Sequence, residues 1–69
     1  MKLSARNVLK GKVVQVKAGA VNSEIVLELP GGAQVVSIIT KESAEALGLA
    51  AGKPAYAVIK ASNVMIAVD

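Results

Sequence analysis

Val21-Asn22-Ser23-Glu24-Ile25-Val26-Leu27-Glu28-Leu29 alternates along its whole length. Val21, Ser23, Ile25, Leu27 and Leu29 share one face, and Asn22, Glu24, Val26 and Glu28 share the other. Successive side chains of a strand point to opposite sides, so the run reads as a half-buried antiparallel strand. Pro30-Gly31-Gly32 ends it and reads as a hairpin loop.

Upstream, Val8 to Lys17 reads as a long strand with imperfect alternation: Lys10 and Lys12 fall on the parity of Val8, Val14 and Val16. Gly11 predicts a bulge or a sharp coil of the kind found where a barrel strand turns a corner. Ala18-Gly19-Ala20 then makes a turn. Downstream, Ala33 to Thr40 forms a third strand, with Val35 and Ile39 on one face and Val36 and Ile38 on the other. Both of its faces call for burial, which points to a partner subunit.

Thr40 is a good helix N-cap, and Glu42 lies in the first turn where the helix dipole favours an acid. The helix spans Lys41 to Leu47, presents Ala44 and Leu47 to the core, and stops at Gly48. Leu49 to Lys53 connects it to Pro54, which opens a fourth strand, Ala55 to Lys60. An Ala61-Ser62-Asn63 corner leads to a fifth strand, Val64 to Val68. The expected fold is mainly β: a five-stranded OB-like barrel with one short helix between strands three and four, forming one domain over residues 1–69.

The chain has 69 residues, and a domain of this size buries only roughly 60% of its unfolded surface. It has no Cys for disulfides or zinc and no His, yet 54% of its residues are hydrophobic. One small core cannot hide that many aliphatic side chains, so a homo-oligomer is expected to take up the excess. No apolar run approaches the roughly 20 residues that span a bilayer, and Met1-Lys2-Leu3-Ser4 does not open a signal peptide. The expectation is a cytoplasmic protein with no membrane partner.

Eight Lys and Arg oppose five acids, giving a net charge of +3 that favours anionic ligands. Without His or Cys, the usual triads and zinc sites are excluded. Glu24, Glu28, Glu42, Glu45 and Asp69 form no pair suited to general acid and base work, so no catalytic residue is assigned. Single-stranded nucleic acid requires aromatic platforms, and Tyr56 is the only aromatic residue.

Two clusters remain, Ser4-Ala5-Arg6-Asn7 and Lys60-Ala61-Ser62-Asn63, each rich in donors and free of acids. A pocket for a tetrahedral dianion needs inward donors and enough positive charge to offset desolvation. The clusters are expected to meet in space across a subunit boundary, with Ser4, Arg6, Lys60 and Ser62 as donors beside backbone N–H groups. Phosphate near neutral pH is partly protonated and profits from an acceptor, whereas a site without one suits sulfate, molybdate or tungstate. The plainer alternative is that these Ser and Asn residues only cap loops.

Ser4-Ala5-Arg6-Asn7 with Leu9-Lys10-Gly11-Lys12-Val13-Val14, and Ala57-Val58-Ile59-Lys60-Ala61-Ser62-Asn63-Val64-Met65, closely resemble the molbindins, small cytoplasmic proteins built of a Mop domain. Ser37-Ile38-Ile39-Thr40 and Glu45-Ala46-Leu47-Gly48-Leu49 fit the same pattern, so the resemblance covers essentially the whole chain. It implies an OB-like barrel and a homohexamer built as a trimer of dimers, with molybdate or tungstate at subunit interfaces. Similar domains also occur fused to other modules; with Met1 at its start and no helix-turn-helix or nucleotide-binding segment, this chain is expected to be the free-standing form, with no organic cofactor. By motif position, Ser4, Ala5, Arg6, Lys60, Ala61 and Ser62 would hold the oxyanion, with no direct protein coordination of the metal. Gly19-Ala20-Val21-Asn22-Ser23 is the candidate for a second site near the threefold axis, although Asn22 stands where family members often have Thr or Ser. Intracellular storage or buffering of the oxyanion is the expected role. An OB-type nucleic-acid-binding protein and a ligand-free structural oligomer are the alternatives.

Overall fold

Four strands and one short helix are laid out along residues 1–69 of the computed structural model: β1 (Asn7–Ala18), β2 (Asn22–Glu28), β3 (Gln34–Thr40), α1 (Lys41–Ala46) and β4 (Pro54–Ile59). They form one antiparallel sheet in the order β3-β2-β1-β4. The long β1 serves two neighbours with different halves of its length. Asn7 to Lys12 pair with β4, and Lys12 to Ala18 pair with β2.

The bulge lies at Val14, not at Gly11. Val13 pairs with Leu27 and Gln15 with the adjacent Val26, so Val14 is the extra residue. This explains the imperfect alternation of β1. Before the bulge the odd positions face the core, as Val13 does; after it the even position Val16 does. Gly11 has a different reason to be glycine. A Cβ there would sit 2.7 Å from the Glu28 carbonyl oxygen and 3.1 Å from Leu29 Cδ2. That is a close crossing of β1 over the end of β2, which only hydrogen in place of a side chain allows.

The core is small. Val13, Ile25, Leu27 and Ala44 are buried together, with Val16, Val35, Ile39, Leu49, Ala55 and Ala57 packed around them. Ser23, Ile25 and Leu27 on the inner face of β2 are buried as the alternation predicts, and Val26 on the outer face is buried as well. Pro30-Gly31-Gly32 forms the hairpin loop, closed by the Gly32 N–H donating to the Leu29 carbonyl at 3.0 Å.

Helix α1 is capped by Thr40, whose Oγ1 accepts from the Ser43 N–H at 3.0 Å. Gly48 has a φ of 64°, the left-handed conformation expected just past a helix end. Ala44 reaches the core, but Leu47 does not: it is the C-cap residue and 69% exposed. The helix ends at Ala46, one residue sooner than expected; Leu47 keeps helical dihedrals as the C-cap, and the chain turns away at Gly48.

The fifth strand is absent from the sheet. After β4 the chain makes a 3₁₀ turn, Ala61–Asn63, and continues through Val64–Val68 without pairing to any strand. Met65, Ile66 and Val68 are 93%, 85% and 91% exposed. An apolar alternating run records a demand for burial and pairing, and it does not say that the partner edge belongs to the same chain. The sheet is accordingly a curled, open one of four strands, OB-like without closure. Its concave side leaves a groove of about 700 Å³ in which 13 of the 15 lining residues are hydrophobic, among them Ile25, Val35, Leu49 and Ala57.

Candidate functional site

Antiparallel pairing of β1 with β4 decides where the two polar clusters go. Asn7 lies opposite Ile59 and Val8 opposite Val58, so the residues just before β1 lie beside those just after β4. Both clusters therefore lie side by side within one chain. They form the walls of an open cleft of about 600 Å³ lined by Ser4, Ala5, Arg6, Val58, Lys60, Ala61 and Ser62. All six residues expected from the sequence line this cleft. Val58 is the addition.

Local backbone geometry shapes the second wall. Lys60 is extended, and Ala61 to Asn63 wind into the 3₁₀ turn. The turn is closed by backbone alone: the Asn63 N–H donates to the Lys60 carbonyl at 2.9 Å, and the Val64 N–H to the Ala61 carbonyl at 3.3 Å. No side chain caps it. The loop-capping alternative therefore finds no support at Ser62. The side-chain hydrogen bonds of the chain involve Asn7, Thr40 and Ser43, so the polar groups of Ser4, Arg6, Lys60 and Ser62 have no partner in the chain. Arg6 and Lys60 supply two positive charges, the two serines supply hydroxyls, and no acid lines the cleft. An anion with several oxygens meets donors from both walls and no repelling carboxylate.

Asn7 takes no part in lining the cleft. Its Nδ2 donates to the Ile59 carbonyl at 3.3 Å, tying the root of one wall to the root of the other. Sequence reasoning placed Asn7 in the first cluster without a task of its own. Val58 was passed over because an apolar residue within a strand reads as core. Its place in β4 opposite Val8, just before the second cluster, brings it into the cleft lining.

The Gly19-Ala20-Val21-Asn22-Ser23 segment is at the other end of β1 and contributes nothing to this cleft. It forms a tight turn in which the Gly19 N–H donates to the Asn22 carbonyl at 2.8 Å. Gly19 to Asn22 are exposed, whereas Ser23 is only 2% exposed and sits in the ladder opposite Ala18 and Ile39.

The larger apolar groove is not the candidate site, since 13 of its 15 lining residues are hydrophobic and none brings a charged side chain to an anion. Nor does the sheet offer a row of stacking platforms. Lys10 Nζ lies 5.9 Å from the ring centre of Tyr56, the only aromatic residue of the chain. No three Asp or Glu side chains converge to hold a metal cation. No helix is long and apolar enough to cross a membrane.

Comparison with known proteins gives a consistent result. The TOBE domain family matches residues 3–66. Molybdenum-pterin-binding protein 3 of Clostridium pasteurianum is 56% identical over 66 residues, which are 96% of this chain and 97% of that protein. The structure of MopII from Clostridium pasteurianum superposes with a TM-score of 0.92 at 49% identity, covering 97% of this chain and all of that one. The cytoplasmic molybdate-binding protein ModG, solved with molybdate bound, gives a TM-score of 0.91 at 52% identity over 94% of this chain and 46% of its own. With the family matched over nearly its whole length, and relatives of its own size at this level of identity, the chain belongs to the TOBE domain family, among the molybdenum-pterin-binding (Mop) proteins.

Proposed function

We propose that the protein binds molybdate, and tungstate with it, reversibly and non-covalently, and that it stores or buffers the oxyanion inside the cell. The observation that carries this reading is the cleft itself: Arg6, Lys60, Ser4 and Ser62 line it, their side chains are unpartnered, and it contains no acid. ModG, at 52% identity, is a structure with molybdate bound, which supports the choice of anion. The serine hydroxyls and the N–H groups of Ala5 and Ala61 would face the oxyanion oxygens. Arg6 and Lys60 would offset the cost of removing a dianion from water. The role in this reading is binding, in keeping with the molybdate-binding protein ModG. No organic cofactor enters.

The same reading includes an assembly, a homohexamer built as a trimer of dimers with the sites at subunit interfaces. Two features support it: the open apolar groove on the concave side of the sheet, and the exposed apolar tail Val64–Val68. A tail from one copy lying in the gap left by another would satisfy both. The Gly19–Ser23 turn remains the candidate second site. Bound oxyanion that bridges copies would stabilise the assembly by mass action.

Isothermal titration tests the proposal. Molybdate and tungstate are expected to bind tightly, and sulfate and phosphate much more weakly. If no oxyanion gives heat or raises the melting temperature, the storage reading is wrong. Strong, salt-sensitive binding of single-stranded oligonucleotides instead would favour the nucleic-acid alternative.

A further inference from the structure

We infer that Asn7 is a positioning residue for the oxyanion cleft, acting as a latch between its two walls; this rests on the oxyanion reading of that cleft. The Nδ2 bond to the Ile59 carbonyl, 3.3 Å long, joins residues 52 positions apart. The other side-chain hydrogen bonds are local ones between Thr40 and Ser43. Asn7 and Ile59 are also the last pair of the β1–β4 ladder. Beyond them one chain leads to Arg6, Ala5 and Ser4, and the other to Lys60, Ala61 and Ser62. The latch therefore sits where the two donor-bearing arms diverge.

Nothing else in the chain fixes the separation of these arms by side-chain bonding. The 3₁₀ turn has no side-chain cap and is held by two backbone bonds of 2.9 and 3.3 Å. A strand end without a side-chain tie frays more readily than the middle of a ladder. A donor set for a tetrahedral anion works only when both arms keep their spacing, because misplaced donors leave oxygens unsatisfied. Asn suits the position: its amide donates to a carbonyl, whereas the carboxylate of Asp would face that carbonyl with no donor. Asn7 is half-buried and does not line the cleft, so its effect on binding passes through the residues that do.

The test compares wild type with Asn7→Ala, Asn7→Leu and Asn7→Gln. Each is measured for molybdate affinity by calorimetry and for amide exchange at Asn63, Val64, Ile25 and Leu27 by NMR. The Ala and Leu variants are expected to bind molybdate about three- to tenfold more weakly, the effect of one ordinary hydrogen bond. Their Asn63 and Val64 amides should exchange faster while Ile25 and Leu27 in the core stay protected, and the Gln variant should recover part of the affinity. Having two donor-less variants guards against one that fails to fold. Unchanged affinity in a folded donor-less variant overturns the inference, and so does weakened affinity without faster exchange at Asn63 and Val64. If wild type itself does not bind molybdate, the oxyanion reading fails separately, and unchanged exchange at the turn would still overturn the latch.

Discussion

Arg6 and Lys60 stand on the two walls of one cleft, although the whole sheet and the helix separate them in sequence. Pairing of β1 with β4 brings them together, and the side-chain hydrogen bonds of the chain use neither. Their positive charge is available to a ligand. Hydrogen bonds to charged groups are worth about 1.5–3 kcal/mol, so Arg6→Ala is expected to weaken molybdate binding roughly ten- to a hundredfold. Arg6 is exposed, and the circular dichroism spectrum should not change. Calorimetry checks the first expectation, and unchanged affinity would remove Arg6 from the site.

Gly11 tests the account of the fold independently of any ligand. A methyl group at this position would be forced against the Glu28 carbonyl oxygen, only 2.7 Å away, and a backbone oxygen cannot rotate aside. Gly11→Ala is expected to cost about 1–3 kcal/mol, the usual range for overpacking a fitted contact. Urea unfolding measures it. Gly31→Ala is the control for crowding, since nothing lies within 4 Å of a Cβ there, though its φ of 93° brings a strain of its own.

Much of the fold was legible from the alternation in Val21–Leu29 and the breakers beside it. Thr40 as N-cap and Gly48 as helix stop followed from local chemistry, and local chemistry decides such positions. The bulge at Val14 was not legible. Glycine marked Gly11 as unusual, but a bulge and a close crossing both select glycine, and only the register separates them. Leu47 and Val64–Val68 were misplaced for a shared reason: apolar character signals burial without saying what covers the residue. The cleft was legible as two clusters from composition alone. That they meet in one chain follows from the Asn7–Ile59 pairing, a long-range relationship that spacing does not encode.

The exposed tail makes a prediction about assembly. The single chain has a mass of 7.0 kDa, and light scattering of the wild-type protein is expected to give a multiple of it. Ile66→Asp places a charge in the most apolar part of the tail, where 85% exposure in the single chain means no internal contact is lost. Burying that unpaired carboxylate in an interface would cost several kcal/mol, so the variant should shift to smaller species. A wild-type protein that scatters as a monomer would contradict the assembly, and an unchanged mass for Ile66→Asp would exclude the tail from it.

The most direct measurement is a crystal structure grown with molybdate, with anomalous data collected at the molybdenum edge. The account predicts an anomalous peak in the cleft, with oxygens in hydrogen-bond reach of Ser4, Arg6, Lys60 and Ser62. A peak only at the Gly19–Ser23 turn, or no peak in the Arg6–Lys60 cleft at saturating molybdate, would contradict it.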